Sequence, residues 1–103
     1  MGIDTGRSLK PPMIDTLNDL TLCDKWKGKI DSRIGKLNEV RTEIVAAGQS
    51  TEDIDERRML INQDTAVRAE LEFLNLASSK VEDKRSALLA KENSFILEYK
   101  FTL

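Results

Sequence analysis

The stretch AAGQSTEDID, residues 46–55, ends one helical pattern and begins another. Gly48 is the residue type that takes the left-handed position closing a helix. Ser50 or Thr51 offers an oxygen to cap the next one, and Asp53 to Asp55 put acidic charge in its first turn. A helix stop followed at once by a helix start makes an αα-hairpin.

Upstream of the turn, Cys23, Ile30, Leu37 and Ile44 recur every seven residues, with Trp26, Ile34 and Val40 flanking the same stripe. Helix 1 is read over about residues 13–47; Thr21 to Asp24 also fit a capping box with Asp in its last place, so a fresh helix starting there stays open. Downstream, Leu60, Val67, Leu74, Val81, Leu88 and Phe95 are spaced by seven without a break. Leu71, Ala77 and Ile61 widen that stripe, while Asp64, Ser78 and Arg85 interrupt its second column. Helix 2 is read over about residues 52–97, with the turn at 48–51. The fold class expected is therefore all-α: an antiparallel, coiled-coil-like helical hairpin with a long second helix.

A fold-back about Gly48 and Gln49 sets Cys23 opposite Leu74, Ile30 opposite Val67, Leu37 opposite Leu60, and Ile44 opposite Asp53 or Ile54. Charge agrees with an antiparallel pairing. Between Lys25 and Arg41 six basic residues stand against Asp31 and Glu39, whereas between Glu52 and Glu72 seven acidic residues stand against Arg57, Arg58 and Arg68. A basic helix lying on an acidic one favours this arrangement, although each exposed pair contributes less than about 1 kcal/mol.

The hairpin does not balance. Residues 1–12, MGIDTGRSLKPP, read as a flexible N-terminal arm because of their glycines and Pro-Pro pair, and residues 98–103 form a short C-terminal tail. The end of helix 2 with this tail carries Leu88, Leu89, Phe95, Ile96, Leu97, Tyr99, Phe101 and Leu103, including three of the chain's five aromatics. Three coverings compete. These side chains pack on Ile3, Leu9, Met13 and Ile14 of their own chain; or they meet a second copy and give a dimeric helical bundle; or the alternation Leu97, Tyr99, Phe101, Leu103 adds a strand to another protein's sheet. On the back of helix 1, Thr21, Gly28, Gly35 and Thr42 recur every seven residues, and Gly28 and Gly35 are candidates for close contact with another helix.

Composition narrows the chemistry. With no histidine and Cys23 as the single cysteine, the commonest general base is missing and a thiolate metal cluster cannot form within one chain. No phosphate loop, nucleophile elbow or calcium loop is present, and acidic residues such as Asp53, Glu56, Glu70 and Glu72 read as helix-dipole and ion-pair partners. No catalytic residue, cofactor or metal is expected. Sixteen basic against eighteen acidic side chains leave a net charge of -2, which gives no global attraction to nucleic acid or to an anionic membrane. No apolar run is long enough to span a bilayer, no signal peptide is evident, and MGIDTG has Gly6 where an acylation signal needs Ser or Thr. A cytoplasmic location follows as the expectation, to which one unpaired cysteine is suited.

These features point to a non-enzymatic protein-protein interaction module, such as an adaptor, assembly factor, chaperone or inhibitor, acting through the hairpin and its apolar C-terminal end. Its partner is a protein, a second copy included, and not a membrane. The alternative is a small nucleic-acid-binding regulator using a basic face of helix 1, formed by Lys25, Trp26, Lys27, Lys29, Arg33 and Lys36, because an aromatic among cations is a stacking signature. Trp26 beside the apolar seam and acidic residues opposite the lysines favour core anchoring and ion pairing over that alternative.

Overall fold

A computed structural model describes the backbone of residues 3–102 and the side chains of residues 3–94. The chain is all-helical among these residues: a single turn of 3-10 helix at Ile14–Thr16, then α1 (Leu20–Ser50) and α2 (Ile54–Thr102), packed antiparallel as a hairpin. It is elongated, 75 × 19 × 15 Å, and its long dimension matches the roughly 73 Å that 49 helical residues span.

Helix 1 starts later and ends later than the periodicity suggested. Asp19 adopts an extended conformation and its carboxylate accepts the Leu22 N–H at 2.8 Å, so the cap lies at Asp19 rather than at Met13 or Thr21. Before it, Thr16 is tied to the Met13 carbonyl, and Leu17 turns inward to be buried. Gly48 does not take the left-handed position. Its φ is negative, like that of every described glycine except Gly6, and α1 passes through it to Ser50. The helix ends because Thr51 is extended, with its N–H still bonded to the Ala47 carbonyl at 3.1 Å. Asp53, not Ser50 or Thr51, caps α2, accepting the Asp55 N–H at 2.9 Å and the Glu56 N–H at 3.5 Å. The connection is thus residues 51–53 instead of 48–51.

That displacement resets the pairing by one heptad. Polar contacts across the helices run Arg41 to Asp64, Arg33 to Glu70 and Lys27 to Ser78, which places Ile44 level with Leu60, Leu37 with Val67, Ile30 with Leu74 and Cys23 with Val81. All eight are buried. The seam columns are those read from the sequence, while each residue meets the next mate along. Every fully buried aliphatic in the seam contributes roughly 1.5–3 kcal/mol from area removed from water, before the entropy of ordering it is charged. Cys23 is wholly buried, and burial pushes its thiol pKa up, with the neighbouring Asp24 charge adding to the effect; it is packed as a small apolar residue.

Residues 3–12 are not a free arm. They lie along the hairpin, with Ile3 and Leu9 packed on the core cluster, and Ile3 exchanges two hydrogen bonds with the Gln63 amide: its N–H donates to Oε1 at 3.1 Å and its carbonyl accepts from Nε2 at 2.9 Å.

Gly48 in the body of a helix, with nothing within 4 Å of a Cβ built on it, gives a direct check. Gly48→Ala is expected to stabilise the protein by about 0.5–1 kcal/mol in urea unfolding, the helical difference between the two residues. Were the residue left-handed, the same change would destabilise it.

Candidate functional site

The six residues of the proposed basic face divide between two environments. Arg33 points across the hairpin. Its Nε donates to Glu70 Oε2 at 3.1 Å and its Nη2 to Oε1 at 3.4 Å, while Nη1 donates to the Thr5 carbonyl at 2.6 Å. Its side chain is only 11% exposed and that of Glu70 18%, so this fork is a largely desolvated clasp that ties the arm, α1 and α2 together. Gly6, with φ of +73°, makes the backbone bend that presents the Thr5 carbonyl, and Asp4 Oδ1 accepts the Gly6 N–H at 2.9 Å. Lys27 also turns to the partner helix, donating to Ser78 Oγ at 2.5 Å, with Asp31 beside it. Trp26 is half-buried against the core, and Lys29 Nζ sits 4.6 Å from its ring centroid.

Lys25, Lys29 and Lys36 are left exposed. Lys29 and Lys36 join Arg7 of the arm, Gly28 and Ser32 around a shallow, open groove. Gly28 and Gly35 lie on the outer side of α1, and a Cβ added to either meets nothing within 4 Å, so no described residue approaches that face closely.

The C-terminal set is likewise split. Leu88 and Leu89 are half-buried, and Leu88 packs on the hairpin core, so it is already used by the fold. From Ala90 to Ser94 the helix is exposed. The side chains of Phe95, Ile96, Leu97, Tyr99 and Phe101, and Leu103 altogether, lie outside the described residues. The backbone, however, is helical through Thr102, which replaces the strand suggested by the alternation from Leu97 onward. The expected intramolecular cap also changes. Ile3, Leu9 and Ile14 pack on the core cluster, but Ile3 is bonded to Gln63, far along α2 from its C-terminal end, and Met13 is 74% exposed, so the four do not gather as one cap at that end.

Sequence reading missed the clasp and one surface. Arg33, Gln63 and Ile3 interact across long separations that no local spacing announces. Phe73 and Leu76, each 55% exposed on α2, do carry a signal: they fall within a second series, Ala66, Ala69, Phe73, Leu76, Ala87 and Ala90, spaced by alternate threes and fours about the gap from Lys80 to Asp83.

Among the described residues no group of three or more histidine, cysteine, aspartate or glutamate side chains is placed to hold a metal ion, and no helix is long and apolar enough to cross a membrane. The clasp can be tested apart from any ligand. Arg33→Lys keeps the charge and loses the fork, and is expected to cost about 1–2 kcal/mol and to expose the Ile3 amide to faster hydrogen exchange. Lys36→Ala should change neither.

Comparison of the chain with known protein families, with curated proteins and with solved structures gives no match in any of the three.

Proposed function

We propose that this chain is a non-enzymatic protein-protein interaction module that engages its partner through the projecting C-terminal end of α2. The observation that carries the reading is a mismatch of length: α1 has 31 residues and α2 has 49, and α2 continues roughly 20 Å past Leu88, where the hairpin core stops. A helix of that kind gains most of its stability from packing rather than from propensity, and the sequence places Phe95, Ile96, Leu97, Tyr99 and Phe101 beyond the reach of α1. Adaptor, assembly-factor, chaperone and inhibitor roles all use such an end. A cytoplasmic setting suits the lone, buried Cys23.

Solution mass by light scattering, for the full chain and for one ending at Glu92, tests the reading with a second copy as the first candidate partner. A mass above 11.6 kDa that falls on truncation is the expected result. A full chain that stays monomeric to about 100 μM would overturn self-recognition by this end.

The nucleic-acid alternative draws on the groove where Arg7 joins Lys29 and Lys36. Against it, Lys27 and Arg33 are engaged with α2, and Trp26 is covered on one side by the core and approached by Lys29. Replacing Lys25, Lys29 and Lys36 together with Glu is expected to leave solution mass and fold unchanged. Salt-dependent oligonucleotide binding by the natural chain, abolished in that variant, would reverse the preference between the two readings.

A further inference from the structure

We infer that the outer face of α2 is a homodimer interface, on which a second copy lies antiparallel with its two-fold axis passing between Lys80 and Asp83. This goes beyond the end-docking reading by naming a different surface and a partner.

The face is defined by position and exposure. Residues 66, 69, 73, 76, 80, 83, 87 and 90 are separated by alternate threes and fours, so they form one stripe along the helix, and all of them are exposed. The stripe lies away from α1, because the buried residues Leu60, Val67, Leu74 and Val81 occupy a different heptad column. Phe73 and Leu76 are the large members, and alanines fill most of the remainder.

What selects the occupant is the order of residues along the stripe. Reversed about a point midway between Lys80 and Asp83, the stripe superimposes on itself with its chemistry complemented. Lys80 meets Asp83 of the second copy and Asp83 meets its Lys80; Leu76 meets Ala87; Phe73 meets Ala90. These three kinds of layer join opposite charges or a large side chain with a small one, which is how two helices approach closely without a void, and Ala69 meets Ser94, two small side chains. Because the operator is a two-fold, each contact occurs twice.

Other pairings fare worse. In parallel register Lys80 would face Lys80 and Asp83 would face Asp83, two like-charge contacts. Shifting the antiparallel pair by one heptad sets Phe73 against Asp83 and Leu76 against Lys80. Two heptads away, Phe73 meets Leu76, but Lys80 and Asp83 fall on alanines and residues 96–102 of each projecting end run past the other α2. In the register chosen, residues 61–102 of the two α2 helices overlap, so each projecting end lies beside the hairpin body of the other copy. In sequence the spacing continues to Leu97, whose counterpart is Ala66.

The test uses the full chain and reads mass by analytical ultracentrifugation. The natural protein is expected at twice 11.6 kDa. Phe73→Ser with Leu76→Ser should raise the dimer dissociation constant by at least about a hundredfold while helical circular dichroism is retained. Lys80→Glu alone and Asp83→Lys alone should each be monomeric at concentrations where the natural chain is dimeric. Mixed in equal amounts they should form a heterodimer. The carboxylate introduced at position 80 of one chain then faces the ammonium introduced at position 83 of the other, and the natural Asp83 and Lys80 that remain face each other. A monomeric natural chain overturns the inference. So does a dimer indifferent to the Phe73 and Leu76 changes, or one lost with them but indifferent to the charge reversals, which would set Phe73 on Leu76. Failure here is separable from failure of the end-docking reading: a dimer that survives these variants but is lost on truncation at Glu92 supports the end alone, and the converse supports this face alone.

Discussion

The rest of the hairpin depends on the polar residues that punctuate its second column. An apolar stripe repeating every seven residues is degenerate, because sliding one helix past the other by a heptad sets Ile30 on Val67 as readily as on Leu74. Asp64, Ser78 and Arg85 break the degeneracy. Each meets a polar residue of α1: Asp64 meets Arg41 at 3.1 Å, Ser78 meets Lys27 at 2.5 Å, and Arg85 Nε donates to Asp24 at 2.7 Å. Slide the helices one heptad toward the register expected from Gly48, and Arg41 comes opposite Arg57, Lys27 opposite Leu71, and Arg33 opposite Gln63 instead of Glu70. An ion pair becomes a like-charge contact, and the best-shielded carboxylate of the interface loses its guanidinium. The exposed pairs stabilise little, since solvent screens them, yet the differences between registers add up because all change together.

Register then decides what is left uncovered. With the turn at residues 51–53, the seam pairs are complete from Ile44 with Leu60 to Cys23 with Val81, and Leu17 with the 3-10 turn closes the core beside Leu88. The arm fills one flank of the same seam, held at Ile3 by the Gln63 amide and at Thr5 by Arg33. A single guanidinium therefore joins three segments. Its five donors in a fixed plane reach two carboxylate oxygens and a backbone carbonyl at once, which a lysine cannot do.

The seam was legible in the sequence because heptad spacing is a local property of one helix, and eight of the residues it picked out are buried. The register was not, for a geometric reason. Placing the turn three to four residues too early moves every pairing by twice that amount, which is one heptad, and the apolar pattern looks equally satisfied afterwards. Gly48 invited that displacement by residue type, although a glycine is also tolerated inside a helix anchored by its other face. The arm reads as flexible for a similar reason: its glycines and prolines describe what the backbone is free to do, whereas Arg33 and Gln63, which hold it, lie far away in sequence. The alternation at Leu97, Tyr99 and Phe101 has strand period, but it follows an unbroken helix, and α2 continues through it.

The outer stripe of α2 escapes notice because Lys80 and Asp83 stand at its centre, so that no long apolar run appears. In the seam, polar residues within an apolar column carry information about pairing, and the same logic applies outside it. A charge pair midway along an apolar stripe weakens it as a general adhesive surface. It also makes one relative direction and one register of two identical helices better than the rest, because only the reversed, centred pairing brings unlike charges together while the large and small side chains alternate across the contact. Aspartate and lysine at these two positions are therefore the residues by which one copy of this chain would recognise another.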